Sequence, residues 1–358
     1  MKKLITLHFL LTCSIIFSQA GAPASPYYNG FNWTQTGTNL RNALAQTTIN
    51  RHTNFLSYTP DVWNVLKIVD LDPTNSNNVL LVYGWENGSD ADVTNDRSRN
   101  KEFNSGADGN WNREHIFAQS LGVPDLGQFG PGADAHMLRA CDVQRNSNRG
   151  NRLFAAGSGN SGPVGANWYP GDEWKGDVAR IIMYMYLHYG IQCLPTYVAT
   201  GTTNANDPSM VNLLLQWNAE DPVSQYEDNR NTYLGNPFNA LGQGNRNPFI
   251  DNPYLATLIW GGPMAQNRWP TVFLDNPTFD FENTISIYPN PAKDIITIQS
   301  NSAVEEIDII TINGQLVQQI KKPIFDNNTY SISNLPKGFY FLRFTSDNAS
   351  ATKKVIIN

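Results

Sequence analysis

The sequence predicts an α+β protein in two parts: a mixed helical domain followed by a small all-β sandwich. Three observations carry this. Leu40, Leu44 and Thr48 lie near helical spacing in the first part, and apolar residues crowd 178–189. Short apolar runs of strand length interrupt those segments. After Pro270 the text changes to short alternating strands joined by turn residues.

Residues 1–20 read as a signal peptide. Lys2 and Lys3 precede an apolar run from Leu4 to Phe17, which ends near small residues at Ser18-Gln19-Ala20. The run is too short for a permanent membrane span, and no later stretch is long and apolar enough for one. Cys13 would suit a lipoprotein cut, but Thr12 precedes it and the apolar run would be cut short.

The rest of the chain is long enough for one large domain, 21–270, and one small one, 284–358, with a Pro/Asn/Asp-rich linker at 271–283. The net charge is −6. That balance excludes a surface built for tight, non-specific nucleic-acid binding. A local basic patch remains open, because Arg97, Arg99, Lys101, Arg113, Arg139, Arg145, Arg149 and Arg152 crowd one region. Cys141 and Cys193 outlast signal cleavage. An exported pair can form a disulfide, or stay as two buried thiols.

Residues 21–60 form a helical opening segment. Val79 to Tyr83 is a buried strand, and the Asn/Asp/Gly-rich stretch 84–110 is loop. Residues 111–117 form a strand, 118–133 a Gly/Pro-rich excursion and 134–139 a second strand. Asp142 then caps a short helix that carries Asn146. Asp177 caps a core helix, 178–189, which Gly190 ends. Further helices follow at 208–217 and 222–231. In the tail, runs at 295–298, 307–312, 339–344 and 355–357 are strands, and Asn313-Gly314 is a hairpin turn.

The chemistry concentrates at 111–151. Glu114 offers an oxygen ligand to a hard cation, and His115 beside it can take a proton near neutral pH. Asn146 offers a second, neutral oxygen, with Asn148 and Asn151 as near competitors. Adjacent residues of a regular strand point to opposite faces. Glu114 and His115 therefore share a cavity only where the strand ends, where a bulge re-aims one, or along the strand edge.

Trp111-Asn112-Arg113-Glu114-His115, Asp134-Ala135-His136 and Asn146-Ser147-Asn148-Arg149-Gly150-Asn151 together resemble the bacterial endonuclease I family of ββα-metal (His-Me finger) nucleases. Later blocks resemble it too: Lys175 to Arg180, Trp217-Asn218, Asp221 to Ser224, Glu227, Arg230-Asn231 and Gln243 to Asp251. The blocks cover about residues 60–255, in order. The resemblance implies that Glu114 and Asn146 hold one divalent cation, Mg²⁺ first, with Ca²⁺ or Mn²⁺ as alternatives. It implies that His115 activates water, with Asp134 and His136 in support. The family's phosphate-holding arginine has no counterpart, since 116–133 contains no Arg or Lys. Arg113, Arg139 or Arg149 must then act, and Arg149 is the favoured choice. Met137 and Ala140 also depart from the family pattern. The later polar blocks either line the cleft or close the fold through Asx-turns.

The activity implied is a secreted, sequence-nonspecific endonuclease, a monomer that cuts DNA and RNA and leaves 5′-phosphates. Residues 284–358 resemble the C-terminal sorting domain of the type IX secretion system, through Tyr288-Pro289-Asn290-Pro291, Asn313-Gly314-Gln315 and Leu335 to Tyr340. That implies passage through the periplasm to the cell surface or medium, with the secretion machinery as partner. Two rival readings are a zinc hydrolase, which lacks its histidine clusters here, and a non-catalytic surface-binding protein.

Overall fold

The computed structural model describes residues 21–273 and 285–358, apart from 301, 327, 347 and 348. The expected signal peptide and most of the expected linker lie outside these residues. The chain divides into two compact units between Leu274 and Asp275, and each has its own hydrophobic core.

In the first unit, α1 (Gly37–Arg51) buries Leu40, Leu44 and Thr48, one row at fourfold spacing. Helix α2 (Asp61–Val69) turns Val62, Val65, Leu66 and Val69 inward. Strands β1 (Leu71–Asp72), β2 (Asn75–Leu80) and β3 (Ser98–Asn100) form a small antiparallel sheet. The strand expected at 79–83 ends at Leu80. Beyond it, Leu81 donates to the Arg97 carbonyl and Val82 to that of Ala140, so the chain crosses between neighbours. Tyr83 then takes a positive φ of 74°.

Strand β4 (Trp111–His115) pairs antiparallel with β5 (Leu138–Asp142), with Glu114 opposite Arg139 and His115 opposite Leu138. Helix α3 (Val143–Arg149) follows at once, and the Asp142 side chain accepts the Arg145 amide as its cap. The order strand, strand, helix holds, but the second strand starts at 138 rather than 134. The reason is a turn at Asp134. Its carboxylate accepts the His136 amide at 2.8 Å, and its carbonyl accepts the amides of Met137 and Leu138. Asp134 and His136 therefore do not alternate on a strand face.

A short hairpin, β6 (Gly162–Val164) and β7 (Asn167–Tyr169), precedes the core helix α4 (Lys175–Tyr189). Asp177 is not its cap. It lies buried inside the first turn, where Arg139 donates to it at 2.9 Å. Gly190, at φ 58°, ends the helix as expected. Helices α5 (Asn212–Glu220) and α6 (Gln225–Leu234) start later than the sequence suggests. A bridge between Thr203 and Val211 delays α5, and a capping box of Ser224 and Glu227 fixes the start of α6. Short helices α7 (Pro248–Asp251) and α8 (Tyr254–Trp260) complete the unit.

The later polar blocks close the fold. Arg180 holds Glu227 through two bonds, at 2.6 and 2.9 Å. The Asn231 side chain exchanges bonds with the Asn247 backbone. Cys141 and Cys193 are free and buried, so of the two alternatives the pair of buried thiols holds. The Cys141 thiol is turned toward the Val82 carbonyl, 3.4 Å away.

The second unit is a β-sandwich. Its strands are β8 (Ile285–Tyr288), β9 (Ile295–Ser300), β10 (Glu306–Thr311), β11 (Leu316–Lys321), β12 (Thr329–Ser333), β13 (Gly338–Ser346) and β14 (Ala349–Ile357). One sheet runs β11-β10-β13-β14 and the other β12-β9-β8. Ile296, Ile298, Ile307, Ile309, Leu342, Phe344 and Val355 fill the space between. Gly314, at φ 82°, makes the expected turn from β10 to β11. The amide of Ala292 bonds the Ile356 carbonyl, and that of Asn358 bonds the Ala292 carbonyl, both at 2.8 Å.

Candidate active site

Strand β4 pairs along its length with β5; on its other edge Trp111 bridges to Asn104, and α3 packs near the part that follows. That edge is where the site forms. The Asn146 amide nitrogen donates to Asn112 Oδ1 at 2.7 Å and to the Arg113 carbonyl at 3.3 Å. With the nitrogen so used, the side-chain oxygen of Asn146 is the atom left for a ligand.

Strand alternation places Asn112 and Glu114 on one face, and Arg113 and His115 on the other. Glu114 is buried, at 2% exposure. Its Oε1 accepts the Tyr83 hydroxyl at 2.9 Å and lies 3.2 Å from Nη1 of Arg149. Burial pushes its carboxyl up, while Arg149 and the Tyr83 hydroxyl pull it down. On the opposite face, His115 Nε2 lies 3.0 Å from the Gly132 carbonyl. A carbonyl only accepts, so the proton sits on Nε2 and Nδ1 carries the lone pair. Burial, aided by Arg113 and Arg149 against the Gly132 bond, pulls the His115 pKa down to about 4. The ring is neutral at pH 7 and able to take a proton.

Glu114 and His115 nevertheless meet one space. Both line a cavity of about 300 Å³, together with Arg113, Asn146, Arg149 and Asn151. The strand ends at His115 and the cavity lies at its edge, so no bulge is needed. Asn148 does not line this cavity; Asn151 does.

The arginines part company here. Arg139 is buried and bonded to Asp177. Arg149 is also buried. It donates to the carbonyls of His115 and Ile116, both at 2.9 Å, and faces Glu114. Its guanidinium fixes the end of β4 and offers little to a substrate. Arg113 lies over Tyr58 and Trp63, at 3.6 and 4.3 Å from their ring centres, and bonds Thr59 through Nη1. The expected basic patch is largely paired off as well. Arg97 meets Glu173, Arg99 meets Asp142, and Arg145 bonds Ser161.

Asp134 and His136 belong to a different group. Asp134 Oδ2 accepts the hydroxyls of Tyr184 and Tyr189, and Oδ1 accepts the His136 amide and the Gln243 side chain. His136 Nε2 donates to the Asn245 carbonyl. His52, Asp134 and His188 are close enough together to hold an ion, yet one set of tautomers satisfies them without it. Gln243 donates to His52 Nε2, His52 Nδ1 to His188 Nε2 at 3.1 Å, and His188 Nδ1 to Thr48. Burial would raise the Asp134 carboxyl, but His136, His52, His188 and the Tyr184 hydroxyl hold it below the usual carboxylate range.

Sequence reasoning missed Tyr83, Asn112, Gly132, His52 and His188. The first three hold the site groups, and the last two complete the Asp134 network. Asn112 carried a faint signal, two residues before Glu114. The others meet their partners only through the fold.

A strand–strand–helix unit that brings a carboxylate, a neutral imidazole and an amide oxygen to one open cavity is the layout of a phosphodiester hydrolase. The chain belongs to the Endonuclease I family, whose model matches residues 36–254. It is a nuclease. Residues 286–358 match the secretion-system C-terminal sorting domain, so the protein is secreted or displayed at the cell surface through the type IX route. Among the described residues, no helix is long and apolar enough to cross a membrane. An extracellular ribonuclease of Bacillus subtilis is 42% identical over 256 residues, 67% of this chain and 82% of that protein. Another from Bacillus amyloliquefaciens is 42% identical over 237 residues, 63% of this chain and 75% of that protein. A solved chain of PorZ, a surface component of the type-IX secretion system of Porphyromonas gingivalis, shares 16% identity over 24% of this chain and 12% of that chain. Its TM-score is 0.19, which carries no argument.

Proposed function

We propose that the protein is a metal-dependent, sequence-nonspecific endonuclease that cuts RNA and DNA and leaves 5′-phosphates. The observation that supports it best is the shared cavity: Glu114, His115 and Asn146 line it together, with His115 Nδ1 and the Asn146 oxygen unused by the protein. The named relatives favour RNA as a substrate. The family resemblance adds DNA.

The donor set fits a hard divalent cation, Mg²⁺ before Ca²⁺ or Mn²⁺. It offers one buried carboxylate and one amide oxygen, and leaves room for water. When bound, such an ion stabilises charge at the phosphorane and at the leaving 3′-oxygen. The chain's own residues do the rest. His115 Nδ1 takes the proton of the attacking water, and the Gly132 carbonyl holds the ring in the tautomer that allows it. Tyr83 and Arg149 orient Glu114. Asn112 turns the Asn146 oxygen outward. Arg113 replaces Arg149 as the residue that holds the phosphate, because it lines the cavity and, among the described residues, takes its hydrogen bonds through Nη1. Residues 21–270 form this nuclease domain, which acts as a monomer, with 271–283 as linker and 284–358 as sorting domain.

Digestion of supercoiled plasmid and of RNA, with and without chelator, tests the reading. Both should be cut, cutting should stop with chelator, and added Mg²⁺ should restore it. Undiminished cutting in chelator would overturn the metal-dependent mechanism.

A further inference from the structure

Arg99, Arg139 and Arg149 are each held by a carboxylate, from Asp142, Asp177 and Glu114 in turn. Arg113 is held by uncharged groups instead. Its Nη1 bonds the Tyr58 carbonyl and, at 2.9 Å, the Thr59 hydroxyl. Its guanidinium lies 3.6 Å from the centre of the Tyr58 ring and 4.3 Å from that of Trp63. An aromatic face attracts a cation through its quadrupole and carries no net charge of its own. Arg113 is thus fixed in place while its charge stays unneutralised.

Tyr58 touches more than the arginine. Its ring centre lies 5.6 Å from that of His115, and Arg113 and His115 project from the same face of β4. One side chain therefore borders both the cation and the candidate base. The turn that carries it is itself held. The Ser57 amide and hydroxyl donate to Asp61, in the first turn of α2, at 2.9 and 2.7 Å. Within that helix Trp63 packs on buried Trp111, the first residue of β4, with ring centres 5.3 Å apart. The entry to α2 and the strand are thus keyed to each other at two rings.

We infer that Tyr58, together with Trp63, is a positioning residue of the nuclease site. Its ring holds the charged Arg113 guanidinium beside His115, so that the phosphate and the proton acceptor stand at a set separation. Such a role rests on the proposed parts of Arg113 and His115 and concerns what places them. A long arginine side chain without such a hold loses rotamer freedom each time it grips a phosphate. Prior fixing of the geometry favours the reaction. The π face does this work, and the Tyr58 hydroxyl takes no part in it.

The test measures kcat/KM on a short RNA with the full chain in Mg²⁺. Tyr58→Phe should cut like the unmodified protein. Tyr58→Leu should lose roughly 3- to 30-fold, the range of a cation–π contact. In an Arg113→Ala background, Tyr58→Leu should cost almost nothing further, because the two changes remove one interaction. Phenylalanines carrying one, two and three ring fluorines at position 58 keep the shape and weaken the negative face. Their kcat/KM should fall stepwise, with the urea midpoint unchanged. The series does not depend on the Leu variant folding. A flat fluorine series, or a Tyr58→Leu loss that persists in full without Arg113, would overturn the role while leaving the nuclease reading intact. Normal cutting by Arg113→Ala alone would overturn the phosphate assignment first, and the role of Tyr58 with it.

Discussion

Two carboxylate–histidine groups lie in one folded unit and use the same chemical parts in opposite ways. At Glu114 and His115, one carboxylate oxygen is held by Tyr83 and Arg149, and one imidazole nitrogen is held by Gly132. The other nitrogen and the Asn146 oxygen are left for a ligand. At Asp134 and His136, four donors surround the carboxylate and the ring donates to a carbonyl. The first group opens on a cavity. The second is sealed and holds distant segments together. Residue type does not separate a pair left open to a ligand from a sealed one; unused lone pairs beside solvent do.

The largest test of this contrast exchanges the two histidines. His115→Ala should lower the cleavage rate by about 10²–10⁴, the usual worth of a general base. His136→Ala should leave the rate per folded molecule nearly unchanged and lower the denaturant midpoint instead. Single-turnover cleavage and urea melts of both variants decide it. A large rate loss in folded His136→Ala would erase the distinction.

The arginines sharpen it. Arg113→Ala should weaken kcat/KM by roughly 10- to 100-fold, the loss expected for a charge-assisted hydrogen bond. Arg113→Lys should recover only part of that, since Lys cannot offer the planar fork. Arg149→Lys should act mainly on stability and metal affinity, because its partners are Glu114 and two carbonyls. If Arg113→Ala cuts normally, the phosphate is held elsewhere.

A third test reads stability in place of rate, as a pH dependence from the sealed group. Burial pulls His136 and His188 down to about 4 in the fold, against about 6.5 unfolded. Their folded pKa values are depressed, so below pH 6.5 the unfolded chain binds more protons. Their contribution is full above that pH and is lost as pH falls toward 4, at up to about 1.4 kcal/mol per group per pH unit. The urea midpoint should therefore drop from pH 7 to pH 5, and less so in His188→Gln. A flat profile over that range would contradict neutral burial.

Much of the frame could be read from local signals. Asp142 before its helix, Gly190 after its helix and Asn313-Gly314 between strands each act within a few residues, and each does what its chemistry predicts. That Glu114, His115 and Asn146 come to one cavity was legible by motif. What failed was direction. Asp134 and His136 look like alternate strand positions, but an Asx-turn at Asp134 removes them from the ladder. Arg149 looks like a free cation, yet its partners sit some 33 to 35 residues upstream. His52 and His188 meet across 136 residues, and no local pattern marks that meeting. The crowded cations suggested a basic face because the acids that pair off Arg97, Arg99, Arg139 and Arg149 come from other segments.

The closing strand of the sandwich sets an order in time. Strand β14 pairs along β13, and its end is clasped by Ala292, from the start of that unit. A ribosome that stops before residue 349 yields a nuclease whose tail lacks that clasp and leaves the edge of β13 bare. A reader of the folded tail thus tells chains that carry β14 from chains that have lost it, without contacting the nuclease at all.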